Sequence, residues 1–195
     1  MKNKDVVFNN LAEVPELKVS VNGLTGDDFF QKKNYSAIFG IEDGKDISPE
    51  ISWNNAPAGT KSFVVTMYDP DAPTQSGFWH WSIKDIPATV TTLSENAGDM
   101  NSDVLPDKAI AMPMDARMNR YVGAAPAKGD EPHPYHIVVT ALDVDVLDVS
   151  PDSTPAFMNF NMIILLIIIM DIKKLHILPF LNLLLFYLHL NSVQC

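Results

Sequence analysis

Residues 66–83, TMYDPDAPTQSGFWHWSI, decide the fold that we expect for this chain. An apolar run at 62–68 leads into this stretch and alternates with the period of a β-strand. Each proline of the DPDAP segment, 69–73, lacks an N–H and has a fixed φ, so the segment is predicted to be a stiff corner. A second alternating run, 78–84, follows the corner. The stretch therefore predicts two strands joined by a rigid, proline-containing turn.

The side-chain alternation of the second strand predicts which residues share a face. On a regular strand, Trp79, Trp81 and Ile83 would point to one side of the sheet. The residues predicted on the opposite side are His80, Ser82 and Lys84. The corner before this strand can then hold the carboxylate of Asp69 beside the imidazole of His80.

Length, charge and cysteine content restrict the function. The 195 residues suit one domain, and a net charge of −10 with a pI near 4.7 argues against a nucleic-acid or anionic-membrane surface. The single cysteine, Cys195, allows neither an internal disulfide nor a cysteine zinc cluster. The first residues lack the apolar core of a signal peptide, so we expect a cytoplasmic protein.

Short strands separated by turn residues dominate the rest of the chain. Val19 and Val21 alternate with polar neighbours, residues 36–60 are typical of strand, turn and strand, and residues 136–142 form another alternating strand. Residues 99–135 contain five prolines and are predicted to be largely irregular. Residues 150–155 have the composition of a helix start. Together these features favour an antiparallel β-sandwich or barrel.

The tail has a different composition. Isoleucine and leucine make up more than half of residues 162–190, but are sparse before them. Asp171 and Lys173 interrupt the first apolar run and Pro179 the second, so a transmembrane anchor is a poor match. We favour a reading-frame change near the 3′ end of the gene as the origin of this segment. The predicted organisation is a domain at 1–161 and an anomalous apolar tail at 162–195.

Imidazole and hydroxyl groups beside carboxylates are the candidate binding groups: Asp69, Asp71, His80, His133 and Tyr135. Imidazole N–H groups and a tyrosine hydroxyl donate well to phosphate oxygens. A neighbouring carboxylate fixes the imidazole tautomer or meets the ammonium of a zwitterionic headgroup. The alternative for Asp71 is a role as a turn former only, which Asp-Pro segments often have.

Catalysis is the alternative chemistry for these residues. Two histidines with one or two carboxylates suit zinc or non-haem iron, so a metal-dependent hydrolase is one alternative. No HExxH, HxH or HxD spacing supports it, however. The sequence also lacks a GxSxG nucleophile motif, a GxGxxG motif and a Walker loop. We therefore expect neither an enzyme nor a cofactor.

Two blocks of sequence resemble the phosphatidylethanolamine-binding protein family, which includes the Raf kinase inhibitor proteins. The first block is the DPDAP segment at 69–73 followed by Trp79-His80-Trp81. The second has the same order and spacing as the other pocket segment of the family, and it comprises Tyr121-Val122-Gly123, Pro126, Lys128-Gly129 and His133-x-Tyr135. Ala141-Leu142-Asp143 resembles the bacterial branch.

The resemblance implies an antiparallel Greek-key β-sandwich with a few short helices and an anion pocket at one end. The implied ligand-binding residues are Asp69, Asp71, Pro73, His80, Gly123, Pro126, His133 and Tyr135. The implied ligand is a phosphate-bearing small molecule or a phospholipid headgroup, and the implied role is regulatory. An alternative is a kinase or protease inhibitor that acts through its loop surface. The oligomeric state stays open, with a homodimer among the options.

Overall fold

The structure, a computed structural model, describes residues 17–26, 29–101, 103–126, 129–164 and 169–176. Within them the chain forms eight strands, one 3-10 helix and one α-helix. The strands are β1 Lys18–Asn22, β2 Glu50–Asn54, β3 Ser62–Asp69, β4 Phe78–Pro87, β5 Thr92–Leu93, β6 Ile110–Ala111, β7 Pro134–Leu142 and β8 Ile169–His176. The 3-10 helix spans Lys32–Asn34, and the helix α1 spans Pro155–Ile164.

The described strands form two antiparallel sheets. One has the order β1-β2-β5, and the other has the order β6-β4-β3-β7-β8. The predicted mainly β, antiparallel fold is therefore confirmed. The strands predicted at 62–68, 78–84 and 136–142 are present and are longer than expected. The Greek-key connection stays a prediction.

The main core lies between the two sheets. Apolar side chains of β1, β2 and β5 meet those of β3, β4 and β7 there, and Trp53 contacts Phe63 edge-on with ring centroids 5.2 Å apart. Phe63, Val65 and Met67 all belong to this core, as the alternation of β3 predicts. Their complete burial supplies hydrophobic stabilisation of about 1.5–3 kcal/mol per side chain.

A second apolar cluster covers the other face of the larger sheet. Met158 and Met162 of α1 pack there with Val64 of β3 and Leu147. The predicted helix start is confirmed, because the Thr154 hydroxyl accepts the Phe157 N–H at 3.2 Å at the beginning of α1. Both faces of β3 are thus buried, which explains its continuous apolar sequence.

The strand–turn–strand prediction for residues 36–60 is wrong in its first half. Only β2 is a strand in this range, and the segment before it consists of turns and extended loop. Backbone groups in this segment bond to one another within the loop and do not form the ladder of a strand pair. For example, the Ile41 N–H donates to the Ser36 carbonyl at 2.9 Å. The irregular character predicted for 99–135 is confirmed over the described residues, apart from β6 and the first residues of β7.

A β-bulge at His80 changes the predicted faces of β4. Met67 lies opposite Trp81 and Tyr68 lies opposite Trp79, so two residues of β3 face three of β4. Trp81 belongs to the main core, whereas Trp79 contacts the Tyr68 ring at a centroid distance of 4.6 Å. The prediction that Trp79 shares a face with Trp81 is therefore wrong. A bulge re-aims the side chains around it, which strict alternation does not anticipate.

The structure extends past the predicted boundary at residues 161 and 162. α1 continues across it, and β8 pairs with β7 from Pro134 opposite His176 to Ala141 opposite Ile169. Residues 177–195 lie outside the described residues. No helix in the described part of the chain has the length and apolarity needed to cross a bilayer. The reading-frame change and the membrane anchor both stay predictions.

Candidate functional site

A cavity of about 420 Å³ opens where β3 ends and β4 and β7 begin. Its polar wall consists of Asp69, His80, His133 and Tyr135. The other wall is mostly apolar, and its members include Phe39, Ile41, Ala72, Pro73, Phe78 and Pro126. A concave site with a small polar cluster and an apolar wall is typical of small-molecule binding sites.

The carboxylate of Asp69 connects the polar groups. It is buried at the last residue of β3, where one oxygen accepts the Asp71 N–H at 2.8 Å and the other lies 2.8 Å from His133 Nδ1. The negative charge of Asp69 also acts on Tyr135, because it raises the pKa of the Tyr135 hydroxyl. The DPDAP corner thus fixes Asp69 through its own backbone, and Asp69 in turn orients His133.

His133 reaches Asp69 from the segment just before β7. Both partners are buried, and 64 positions separate them in the chain. Since an ionised carboxylate can only accept hydrogen bonds, the contact requires the proton of His133 on Nδ1. The other ring nitrogen, Nε2, lies 3.9 Å from a carboxylate oxygen of the half-exposed Asp130.

His80 enters the cavity because of the bulge in β4. Phe78 lies opposite Asp69, and the His80 ring contacts the rings of Phe78 and Tyr135 at centroid distances of 4.8 and 5.1 Å. His80 Nδ1 lies 2.8 Å from the Val122 carbonyl oxygen, so Nδ1 carries a proton and donates to it. Burial lowers the pKa of His80 below 6.5, while the Val122 carbonyl and the charge of Asp69 oppose that shift. His80 is therefore a neutral imidazole with Nε2 free of a proton.

Tyr135 is an oriented, neutral phenol. Burial raises the pKa of its hydroxyl well above 10, and the negative charge of Asp69 acts in the same direction. The backbone of Ala125 acts in the opposite direction on this pKa. Its ring contacts Phe30 edge-on at 5.8 Å, which fixes the phenol against the core.

Six of the eight predicted site residues line the cavity: Asp69, Pro73, His80, Pro126, His133 and Tyr135. Asp71 and Gly123 lie outside its wall. Asp71 contributes its backbone N–H to Asp69, in keeping with a turn-forming role. Gly123 instead permits a close approach of two backbone segments, because a Cβ there would lie 2.3 Å from the Asn34 carbonyl oxygen.

Sequence reasoning did not find the loop that forms the opposite wall. Phe39 and Ile41 line the cavity from this loop. The buried Asp46 accepts N–H groups from Ile38 at 3.0 Å and from Gly123 at 2.8 Å, which joins the loop to the segment after Tyr121. The only sequence signal was the Asp-Gly turn at residues 43 and 44, and it does not indicate a long-range contact.

Metal binding has no geometric support in the described part of the chain. No group of three or more histidine, cysteine or acidic side chains is arranged there to hold a metal ion. Asp69 and His133 form a pair, and the His80 Nδ1 is committed to a backbone carbonyl. Their geometry is that of an oriented hydrogen-bonding cluster.

Comparison with known proteins shows the family and the fold of the chain. The sequence profile described as phosphatidylethanolamine-binding protein matches residues 25–163. The chain belongs to the phosphatidylethanolamine-binding protein family. Among family relatives, YbcL of Escherichia coli K12 is 41% identical over 150 residues, which cover 76% of this chain and 81% of YbcL. YbhB of the same organism is 45% identical over 119 residues, covering 61% and 74% of the two chains.

Solved structures of phosphatidylethanolamine-binding proteins share the fold. The crystal structure of E. coli YbcL, described as a new member of the mammalian family, gives a TM-score of 0.74 at 36% identity. The alignment covers 83% of this chain and 96% of YbcL. A putative family homologue from Chlamydia trachomatis has the same fold, with a TM-score of 0.64 at 23% identity. The family match includes every residue of the cavity wall and ends at residue 163, beside the change of composition.

Proposed function

We propose that this protein binds a phosphate-bearing ligand, either a small molecule or a phospholipid headgroup, in the cavity beside Asp69. The observation that carries the proposal is the pairing of His133 Nδ1 with the buried Asp69 carboxylate at 2.8 Å, with His80 on the same wall. Both rings are held through Nδ1, so each presents Nε2 as its remaining polar atom. Two oriented imidazoles on one wall suit a tetrahedral oxyanion.

Anion binding at these rings is coupled to protonation. A neutral imidazole held through Nδ1–H has only a lone pair on Nε2, so donation to a phosphate oxygen needs a second proton. A bound phosphate therefore favours imidazolium and takes up protons from solution. Asp69 orients the ring of His133 for this contact, because its carboxylate accepts the hydrogen bond from Nδ1. The same carboxylate gives an ammonium-bearing headgroup a second attraction.

The proposed role is regulatory binding and not catalysis. The polar groups of Asp69 and His133 bond to each other, burial keeps the Tyr135 hydroxyl protonated by raising its pKa, and none of the three side chains is set up as an activated nucleophile. Inhibition of a kinase or protease through the loop surface is an alternative that stays a prediction. The metal-dependent hydrolase alternative also stays a prediction, and metal analysis of the purified protein tests it.

Titration of the full chain with O-phosphorylethanolamine, followed by NMR of the histidine rings, tests the binding proposal. The rings of His80 and His133 are expected to shift together along one binding isotherm. His136 serves as an internal control, because it is buried on β7 and is not part of the cavity wall. Folded protein whose His80 and His133 resonances stay unmoved would contradict the proposal.

A further inference from the structure

The end of β1 carries the one asparagine of the sequence that precedes a glycine. Asn22 is the last residue of β1, and the chain bends at Gly23, which has a φ of 76°. A side-chain amide is open to attack by the backbone nitrogen of the next residue. Glycine favours this attack because it has no Cβ to block the approach. The dipeptide is therefore the most reactive asparagine position that the sequence offers.

The backbone at Gly23 has room to change conformation. Gly23 is exposed, and a Cβ built on it would meet no atom within 4 Å. Its positive φ is one that glycine adopts without strain. The side chain of Asn22 is exposed as well. The Gly23 nitrogen and the Asn22 Cγ can therefore rotate toward each other without displacing another part of the protein.

Asn22 belongs to the terminal pair of the β1–β2 ladder. It lies opposite Glu50, and its Nδ2 donates a hydrogen bond to Glu50 Oε1 at 2.5 Å. This hydrogen bond is exposed, and the ends of an element open at a much lower free energy than its core does. The amide is thus held by a contact that local fraying breaks, without unfolding of the sheet.

A second turn shows how packing restrains a glycine of this kind. Asp43 and Gly44 form a related dipeptide, and Asp43 is exposed with a φ of 64°. The Gly44 N–H donates to the Ile41 carbonyl at 3.0 Å, and a Cβ on Gly44 would lie 2.8 Å from the Ser36 carbonyl carbon. Contacts within the loop therefore fix the Gly44 nitrogen. The two turns differ in their freedom to move, although both contain the glycine.

We propose that Asn22 is a site of spontaneous deamidation and that the product weakens the pairing of β1 with β2. The Gly23 nitrogen loses its proton and forms a bond to Asn22 Cγ, and the side-chain amide group leaves as ammonia. Water then opens the cyclic imide at either of its carbonyl carbons, which gives aspartate or isoaspartate at position 22. Water is the only co-reactant, and the site is independent of the cavity beside Asp69.

The product places a negative charge opposite Glu50. An aspartate at position 22 has no N–H on its side chain, so the hydrogen bond to Glu50 is lost and two carboxylates face each other. Like charges directly opposite each other on neighbouring strands are destabilising. Isoaspartate also adds a carbon to the backbone, which shifts the register of the terminal pair. Deamidation therefore loosens the edge of the smaller sheet.

Peptide mass mapping of the full chain, incubated in mildly alkaline buffer, tests the modification. Products at position 22 are expected to accumulate several-fold faster than at any other asparagine. Asp43→Asn is the matched comparison, because it places the same dipeptide in the fixed turn and removes only an exposed ion pair with Lys32. Position 43 of this folded variant is expected to react several-fold more slowly than position 22. In urea the two positions are expected to react at similar rates.

Urea denaturation of Asn22→Asp tests the consequence. The midpoint is expected to fall below that of the wild-type chain, and Glu50→Gln in the same chain should restore most of the loss, because an amide removes one charge and donates to the other. A reaction at position 22 no faster than at other asparagines would overturn the modification site. So would equal rates at positions 22 and 43 of folded Asp43→Asn. An unchanged midpoint of Asn22→Asp would overturn the weakening of the strand pair.

Discussion

Asp46 Oδ1 accepts the backbone N–H of Gly123 at 2.8 Å across 77 positions of sequence. Its second oxygen accepts the Ile38 N–H, so one buried carboxylate joins the two loops that flank the cavity. Asp46 has a φ of 52°, which is a left-handed conformation that a non-glycine residue adopts only with support. The position of the cavity wall therefore depends on a residue that does not touch the cavity.

Replacing Asp46 tests this role. Asp46→Ala leaves the buried Gly123 N–H and the partly buried Ile38 N–H without this acceptor, so we expect a loss of about 1–3 kcal/mol in the free energy of unfolding. Hydrogen exchange should accelerate most at the amides of Ile38 and Gly123. Asp43→Ala is the control, because Asp43 pairs with Lys32 on the exposed surface, where solvent screens the ion pair and its contribution to stability is small. Equal losses in both variants would show that Asp46 has no special role.

Gly123 is predicted to tolerate no side chain. A Cβ there would lie 2.3 Å from the Asn34 carbonyl oxygen and 2.4 Å from the Tyr35 carbonyl carbon, and backbone atoms cannot move aside easily. Gly123→Ala should lower the free energy of unfolding by about 1–3 kcal/mol in urea denaturation. Gly26→Ala is the control, since a methyl group at that position would meet open space within 4 Å. An unchanged free energy of unfolding in Gly123→Ala would mean that the backbone around Gly123 moves away from Asn34 and Tyr35 without cost.

The carboxylate of Asp69 is predicted to control ligand affinity. Asp69→Asn keeps the shape but removes the charge that orients His133. Hydrogen bonds to charged groups contribute about 1.5–3 kcal/mol, so we expect phosphorylethanolamine to bind about tenfold more weakly. Asp71→Asn is the control, because Asp71 lies outside the cavity wall. Tighter binding by Asp69→Asn would show that the carboxylate mainly repels the anion.

His80 is predicted to make the protein less stable in acid. Burial lowers the pKa of His80, so the unfolded chain binds this proton at a higher pH than the folded chain does. The neutral His80 ring makes its full contribution to the free energy of unfolding above about pH 6.5. This contribution is lost as the pH falls through the lowered pKa of the folded state.

Urea denaturation at about pH 7.5 and about pH 5 measures this loss. His80→Asn retains an N–H for the Val122 carbonyl but has no titrating ring, so its stability should fall less over this range. Phosphate ligands should oppose the loss in the wild-type chain, because they favour the protonated ring. Identical pH dependence in both proteins would exclude His80 as the titrating group.

The sequence predicted those parts of the fold that follow local rules. The alternation of β3 and β7, the proline corner after β3 and the helix start within residues 150–155 are all present, although Thr154 caps α1 where a Ser or Asp was expected. Asp69 and His80 were expected to lie near each other because one short corner joins their strands. Their residue types, together with the family resemblance, were sufficient to indicate the polar wall.

The features that the sequence did not predict depend on contacts between residues far apart in the chain. The faces of β4 depend on two register shifts against β3, one of them at His80, and a strict period of two cannot represent them. The loop with Phe39 has no periodic pattern, and its position depends on Asp46 and a distant backbone N–H. Interactions of this kind have no local signature, so only the three-dimensional structure reveals them.

The pairing of Asp69 with His133 across 64 positions has a consequence for the order of events during folding. Contacts with high sequence separation form late, because loop closure must come first. Binding competence should therefore emerge only when the larger sheet is complete, and a nascent or partly denatured chain should have no affinity. The ligand would then stabilise only the folded chain and raise its melting temperature, with the logarithm of ligand concentration once that concentration exceeds the Kd.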